Sequence, residues 1–273
     1  EILRVRTRSG REVRCSAGHR FRTLSGWREL GDLCPGDLVA VPRTLPASFM
    51  GNASVTMDEA RLFGYLISDG SYIRHRSIGY AKADPFLVEE VERIAMSSFG
   101  IEARRRKPRG GPANELDLCG PGTGPGSNTM IQWLKAHGIY GQRGQEKRVP
   151  VAVFEAGNAI IATFLGALWS GDGCVVRRPK GGWCLKFTST SRKLLLDVQH
   201  LLLRLSILSS VGKPERNSKS TMDIATLMVS SREQVLNFAR AIHLPGVKGP
   251  KLEMAEVEMQ SAGSNERWDR LPL

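Results

Sequence analysis

The chain has 273 residues, of which 39 are Lys or Arg and 27 are Asp or Glu, so its net charge is +12. An excess of this size favours a polyanionic partner such as nucleic acid, because each neutralised phosphate releases condensed counterions. There is no run of about 18 apolar residues that could span a bilayer, and the five scattered cysteines contain no CxxC pair. We therefore expect a cytoplasmic protein without a disulfide framework or zinc site. A basic protein with no nucleic-acid partner is the alternative that charge leaves open.

The N-terminal 46 residues have the pattern of an all-β segment. Short runs such as Ile2-Leu3 and Val13 alternate with polar residues, and Pro35-Gly36-Asp37 predicts a tight turn before a strand over 38–41. Residues 47–56 are a looser stretch that we expect to be a linker. From Met57 onward the predicted elements alternate between helices and hairpins.

An internal repeat covers most of the remaining chain. Apolar helices predicted over 58–68 and 159–170 both end in Asp-Gly, and the two acids, Asp69 and Asp172, lie 103 residues apart. Each motif is followed by a hairpin with basic residues near its tip. Further helix pairs at similar spacing are predicted over 85–99 and 191–208, and over 129–137 and 232–243. The pattern predicts two similar α/β half-domains, about 57–155 and 156–260, related by a pseudo-two-fold axis.

The composition of the two Asp-Gly helices predicts that they pack side by side. Gly64 and Gly166 permit close approach of helix backbones, and Gly70 and Gly173 are expected to end the helices in the left-handed conformation. Both carboxylates would then emerge at one end, where their mutual repulsion favours a bound cation such as Mg²⁺. That arrangement suits phosphodiester hydrolysis. The alternative is that each Asp-Gly merely terminates a core helix.

These two segments resemble the paired motifs of LAGLIDADG homing endonucleases, and the similarity extends over about 57–260. It includes Glu146-Lys147-Arg148-Val149-Pro150, similar to the Lys-x-Ile-Pro element of the family. The resemblance implies an α+β fold of two αββαββα halves whose antiparallel sheets form a saddle on double-stranded DNA. Ala167 in place of the usual Gly, and Ser68 and Gly171 in place of the usual Ala, depart from the family pattern.

By this resemblance, Asp69 and Asp172 would be the metal-binding catalytic pair of a pseudosymmetric monomer that cleaves a long site and leaves short 3′ overhangs. The cofactor would be Mg²⁺, with Mn²⁺ or Ca²⁺ as substitutes and Ca²⁺ as a non-catalytic one. Lys147 would lie near the scissile phosphate, with Lys248 or Lys251 as its counterpart in the second half. The candidate DNA contacts are Arg74, Arg76, Lys82, Arg104, Arg105, Arg106, Lys107, Arg177, Arg178, Lys180 and Lys186. A solvated basic face is the alternative for any one of these side chains.

The N-terminal segment resembles the Hint (splicing) domain of inteins. His19 would polarise a splice junction, and Ser16 would replace the usual Thr of a Thr-x-x-His element. Residues 261–273 would begin the return to that domain, and this chain alone is not expected to splice without the missing segments or host extein. Two further hypotheses stay open: a non-catalytic DNA-binding relative, and an inactive endonuclease remnant within an intein.

Overall fold

The structure is a computed structural model that describes residues 1–45, 55–73, 77–106, 113–120, 122, 127–216 and 222–261. Arg74, Arg76, Lys107 and the segment after Ser261 lie outside these residues. The helices are α1 (Met57–Asp69), α2 (Pro85–Phe99), α3 (Thr129–Ala136), α4 (Val151–Glu155), α5 (Asn158–Asp172), α6 (Arg192–Arg204), α7 (Arg232–Ala241) and α8 (Gly249–Ser261). The strands are β1 (Ile2–Arg6), β2 (Glu12–Ser16), β3 (Arg20–Thr23), β4 (Gly26–Glu29), β5 (Gly70–Ser71), β6 (Ser77–Lys82), β7 (Ala103–Arg106), β8 (Asn114–Cys119), β9 (Gly173–Arg177), β10 (Trp183–Ser189), β11 (Ser210–Val211), β12 (Glu215–Arg216) and β13 (Asp223–Val229).

From the start of α1 onward, the same order of helices and strands occurs twice. The first half runs α1, β5, β6, α2, β7, β8, α3, and the second runs α5, β9, β10, α6, β11, β13, α7, with β12 as an extra strand on β13. The first sheet has the order β5-β6-β8-β7 and the second β11-β13-β10-β9, and the pairings are antiparallel. The predicted mixed fold with antiparallel sheets is confirmed.

Helices α1 and α5 pack against each other more extensively than any other pair of helices in the described chain. A Cβ added at Gly64 would lie 2.7 Å from Ala167 Cβ, Leu168 N and Phe164 O, so glycine is required for this approach. Gly166 does not face α1, because a Cβ there would collide with the carbonyl of His243. The predicted close packing is therefore confirmed for the first motif, and Gly166 serves a different contact.

Gly70 and Gly173 do not adopt the left-handed conformation that the sequence predicted. Their φ angles are −84° and −77°, because the chain passes straight from each helix into the strand that follows it. Glycine is needed there for space instead. A Cβ on Gly70 would collide with the backbone of Leu66, and one on Gly173 would collide with the indole of Trp169.

Each sheet has one face buried against helices. In the first sheet Ile78, Tyr80, Leu116 and Leu118 are buried, while the residues between them along the strands face outward. The same alternation in β10 and β13 buries Leu185, Phe187, Leu227 and Val229. We call the opposite side of each sheet its outer face. Within the paired strands, only the outward-facing residues are therefore available to a ligand on the outer face.

The N-terminal segment consists of two hairpins, β1–β2 and β3–β4, that dock on the second half. The carbonyl of Ser9 accepts from Val211 N and from Gln199 Nε2, both at 2.9 Å, and Arg192 donates to Glu12 at 3.0 Å. The predicted strand over 38–41 is wrong. Only an isolated bridge between Thr23 and Val39 forms, since no neighbouring strand in the described chain extends the pairing. The two hairpins do not show a Hint domain.

Some predicted helix bounds also change. Helix α6 ends at Arg204 and not at 208, where the chain turns through Ser206 with φ at 60°. The short α4 and the C-terminal α8 were not predicted, and the near absence of a one-sided apolar pattern in α8 explains why its sequence gave no periodic signal. None of the helices in the described ranges has the length and apolar character needed to cross a bilayer.

Candidate functional site

The C-terminal ends of α1 and α5 lie side by side and bring their acidic residues together. A Cβ added at Gly171, just before Asp172, would lie 2.7 Å from Asp69 Oδ2, so the end of α5 directly adjoins that carboxylate. The Lys82 ammonium joins the two ends, donating to both carboxylate oxygens of Asp69 at 2.9 and 2.8 Å and to the carbonyl of Gly171 at 2.9 Å. Two acids and one cation therefore occupy the junction between the helices.

Two further lysines reach the same helix ends. Lys147 Nζ donates to the carbonyls of Ile67 and Ser68 at 2.6 and 3.1 Å, at the end of α1. Lys248 Nζ donates to the carbonyls of Trp169, Gly171 and Gly173 at 3.2, 2.6 and 2.6 Å, at the end of α5. Both ammonium groups lie where the helix dipole is negative.

Lys251, the other candidate for the second half, is not part of this arrangement. It lies exposed on α8, and none of the hydrogen bonds or ion pairs of the described residues joins it to either motif. The reason is local. The chain makes a 3₁₀ turn over Gly246–Lys248, which directs Lys248 toward α5, before α8 carries Lys251 away.

The segments that carry Lys147 and Lys248 are anchored by the opposite half-domain. Ser191, which caps α6, donates its hydroxyl to the carbonyl of Lys147 at 2.7 Å. Asp84, which caps α2, accepts from Val247 N at 2.8 Å. The first half thus orients the lysine that contacts the second helix, and the second half orients the lysine that contacts the first.

A bidentate ion pair reinforces the first of these anchors. Arg148 donates to Asp197 through Nε at 2.6 Å and Nη2 at 2.9 Å, and the same carboxylate accepts from Val149 N at 3.2 Å. Asp197 lies on α6 and is buried. A carboxylate with three donors holds the backbone beside Lys147 in one position.

The charges at the junction influence one another. Desolvation raises the pKa of the Asp172 carboxyl, and Asp69 raises it further, although the side chain stays accessible to water. Desolvation lowers the pKa of the Lys147 ammonium, and both acids oppose that shift. Burial and the neighbouring Lys82 lower the pKa of Lys248. Five groups thus form one electrostatic cluster, which we call the junction cluster: Asp69, Asp172, Lys82, Lys147 and Lys248.

The donor set of this cluster fits a hard divalent cation. Mg²⁺ is typically held by one or two carboxylates, with water and substrate phosphate completing its coordination. Asp69, Asp172 and the Gly171 carbonyl supply such oxygens, and Lys82 already places a positive charge among them. Within the described ranges no group of three or more His, Cys, Asp or Glu side chains could hold a metal, so a zinc-type cage is not present there.

The predicted DNA contacts of the first half separate into different positions. Arg105 faces the helices and is paired with Glu92 on α2, with Nε at 2.8 Å and Nη2 at 2.6 Å. Arg106 is on the outer face, paired with Asp117, and Arg104 is exposed on the same face. Lys82 points inward to Asp69 and not outward. Successive side chains of β7 point to opposite faces of the sheet, which separates Arg105 from Arg104 and Arg106.

In the second half, Lys186 lies on the outer face, directly opposite Cys174 and Met228. Arg177 forms an ion pair with Glu258 of α8 at 3.1 Å, and Arg178 donates to the carbonyl of Ser230. Lys180 is exposed in the β9–β10 turn. Of the four predicted residues, Lys186 and Lys180 have no ion pair in the described part of the chain.

Lys82 and Lys186 do not occupy equivalent positions in the two sheets. Gly70 pairs with Tyr80 in the first sheet, and Gly173 pairs with Phe187 in the second. Counting from these pairs, Lys186 matches Gly79, and Lys82 matches Ser189. The offsets from the acids differ by one residue, and a shift of one residue turns a strand side chain to the other face of the sheet.

Ser16 and His19 lie in the N-terminal segment. Both are exposed, His19 N donates to the Ser16 carbonyl at 3.0 Å, and the imidazole makes an edge contact with Phe21. Their side chains make no hydrogen bond to the junction cluster among the described residues. Their assigned splicing roles stay predictions.

Asp84 and Asp197 are positioning residues that were not predicted from the sequence. Asp84 precedes Pro85, a combination typical of a helix start, so a cap could have been predicted but its second bond to Val247 could not. Asp197 is one acid within an amphipathic helix, and no local signal distinguishes it.

The sequence profile of the LAGLIDADG-like domain matches residues 159–243, which span α5 to α7. Residues 159–243 of this chain are therefore similar to a LAGLIDADG-like domain. The structure of homing endonuclease I-DmoI in complex with DNA and Ca has a TM-score of 0.50 at 13% identity, over 72% of this chain and 97% of I-DmoI. A likeness at this identity shows a shared fold over most of this chain.

Two relatives are much longer than this chain. Replicative DNA helicase DnaB of Rhodothermus marinus is 35% identical over 252 residues, which covers 90% of this chain and 26% of the helicase. Protein RecA of Mycobacterium tuberculosis is 29% identical over 271 residues, which covers 93% of this chain and 33% of RecA. This chain therefore spans about a quarter to a third of these relatives.

Proposed function

We propose that this chain is a site-specific, divalent-cation-dependent DNA endonuclease that hydrolyses both strands at a long target and leaves short 3′ overhangs. The observation that carries the proposal is the junction cluster, in which two aligned helices deliver Asp69 and Asp172 to one place surrounded by three lysines. If Asp-Gly merely terminated each helix, the two carboxylates would have no reason to lie beside each other. Their mutual repulsion is unfavourable unless a cation lies between them. The fold shared with I-DmoI, whose complex with DNA and Ca is known, supports the same proposal.

In this proposal Asp69 and Asp172 hold the cation, and the lysines balance the charge of the scissile phosphate. A bound divalent cation supplies Lewis-acid polarisation of that phosphate and makes the attacking water more acidic. An ammonium group has three N–H donors. Lys248 uses all three on backbone carbonyls, whereas Lys147 uses two. Lys147 therefore has one N–H free to bind a phosphate oxygen.

We further propose that the endonuclease is an intein-borne homing enzyme within a longer host protein. The supporting observation is that similar segments of about 250–270 residues form a minor part of a DnaB helicase and of RecA, which are two different proteins. A segment inserted into unrelated hosts has this distribution. Splicing by this chain alone is not part of the proposal.

The decisive experiment selects DNA that the full chain binds from a randomised plasmid library in Ca²⁺, and then measures strand cleavage of the selected sites in Mg²⁺ or Mn²⁺. We expect cleavage that Asp69→Asn and Asp172→Asn each reduce by about a thousandfold, the order seen when one essential electrostatic group is removed. Asp32→Asn, an exposed acid in the N-terminal segment, is the matched control and should cleave normally.

Other outcomes distinguish the competing hypotheses. Specific binding without cleavage, unaffected by Asp69→Asn, would show a non-catalytic DNA-binding protein. Neither selective binding nor cleavage would indicate an inactive remnant, and either result overturns the proposed function.

A further inference from the structure

The outer face of the first sheet carries opposed charges around small residues. Strand register places Gly79 opposite Asp117 and Ala81 opposite Glu115, while Arg104 and Arg106 lie beside these acids on β7. A pocket of about 160 Å³ extends from Asp69 along this face to Arg106, Glu115 and Asp117. The small side chains of β6 leave Arg104 and Glu115 as the projecting charged groups beside the catalytic acid, whereas Asp117 is buried beneath its ion pair with Arg106.

The outer face of the second sheet has a different composition. Where β10 pairs with β13, Lys186 is the one charged side chain on either strand. Its neighbours are Val176, Thr188, Ile224, Thr226 and Met228, and the hydroxyls of Thr188 and Thr226 lie 3.0 Å apart. Around Lys186 this face offers methyl and hydroxyl groups, and the nearest acid in the described strands is Glu215, which lies opposite Ile224 at the edge of the sheet.

The two faces can be compared residue by residue. Matching Gly70–Tyr80 to Gly173–Phe187 aligns the Gly79–Asp117 pair with Lys186–Met228, and the Ala81–Glu115 pair with Thr188–Thr226. Both acids of the first sheet are therefore replaced by uncharged side chains in the second. This difference changes which hydrogen-bonding groups of a ligand each position can contact.

The bases expose different groups in the major groove. Guanine presents two acceptors that Arg or Lys can bond, cytosine presents an amino group that Glu or Asp can accept from, and thymine presents a methyl group that apolar and Thr side chains contact. A carboxylate near the duplex is also repelled by phosphate, so it favours binding only where a base donates to it. The acids of the first sheet thus penalise sequences that lack such a donor.

We propose that the two sheets recognise half-sites of different base composition. The first sheet binds a G·C-rich half-site, with Arg104 donating to guanine and Glu115 accepting from a cytosine amino group. The second binds a thymine-rich half-site through its methyl groups, with Lys186 bonding one guanine. This inference rests on the proposed function, because it requires the outer faces to contact DNA.

The test uses in vitro selection of bound double-stranded DNA by the full chain in Ca²⁺, followed by sequencing. We expect wild-type sites with one G·C-rich and one A·T-rich half. Lys186→Met should lower the preference for a single guanine in the A·T-rich half by about tenfold. Glu115→Gln should lower the preference for a cytosine in the other half by a similar factor. Thr226→Glu, which copies the acid of the first sheet, should convert a thymine preference into a cytosine preference.

The outcomes separate this inference from the proposed function. Selected sites whose halves have equal base composition, or variants that change the preference in the wrong half, overturn the inference about half-sites. The endonuclease proposal still stands in that case if the wild type cleaves the selected sites. Absence of any selected sequence overturns both. All three positions are on strand surfaces away from the buried faces, and thermal melting equal to that of the wild type would show that a changed preference does not result from unfolding.

Discussion

The two half-domains share one framework but differ at the residues around their acids. Both run from an Asp-terminated helix directly into a strand, and in both a lysine from a distant segment bonds the helix-end carbonyls. Only the first half adds Lys82 on its aspartate, where the second has Ser189. The lesson is that the backbone arrangement is repeated while the charges placed on it have diverged, so the two acids occupy unequal environments.

The largest expected effect comes from closing the gap between the two helices. Gly64→Ala places a methyl group 2.7 Å from Phe164 O, Leu168 N and Ala167 Cβ. Two of these atoms belong to the backbone and cannot move aside easily, so we expect overpacking to cost about 3 kcal/mol or more. The better helix propensity of Ala offsets about 1 kcal/mol. Denaturant unfolding should show a net loss, partly recovered by adding Ala167→Gly.

Gly157→Ala is the control for that prediction, since no atom lies within 4 Å of an added Cβ and the φ of −68° suits any residue. If Gly64→Ala and the control had the same free energy of unfolding, the close approach of α1 and α5 would not require glycine at position 64.

The next effect tests the difference between Lys82 and Lys186. Lys82→Met leaves the Asp69 carboxylate without its cation in a setting where both side chains are less than a fifth exposed, so stability should fall by about 2 kcal/mol. Lys186→Met, which removes a cation without an ion pair among the described residues, should change stability by less than about 0.5 kcal/mol. Urea unfolding of both variants decides the comparison, and equal losses would show that Lys82 makes no special contact.

A smaller effect is expected when one anchor is exchanged for the other. Asp84→Ser copies Ser191, so the cap on α2 is kept while the bond to Val247 N is lost, at a cost of about 1 kcal/mol. Because Val247 precedes Lys248, cleavage should decline more than stability. The measurement is the cleavage rate beside the melting temperature, and a rate that follows stability alone would assign Asp84 only the role of a cap.

The smallest effect concerns pH. The folded-state pKa of Asp172 is raised, so the folded chain binds that proton more tightly than the unfolded chain, and stability is lost as pH rises through the folded pKa. Asp172→Asn should therefore melt at a higher temperature than the wild type at neutral pH. The difference should vanish below the ordinary carboxyl pKa. A wild type more stable than Asp172→Asn at neutral pH without added cation would contradict the unfavourable setting of this carboxylate.

The sequence by itself determined the repeat, the two acid-ending helices and the mixed fold, because apolar periodicity and Asp-Gly spacing are local properties of the chain. The family resemblance pointed to Lys147 and limited its counterpart to Lys248 or Lys251, and their roles stay predictions. Tertiary structure decided the rest. Choosing Lys248 required the turn over Gly246–Lys248, and assigning Lys82 to Asp69 required a strand register, since one residue of shift reverses the face. Asp84 and Asp197 act across half-domains, and a contact between residues 163 or 48 positions apart leaves no trace in local pattern.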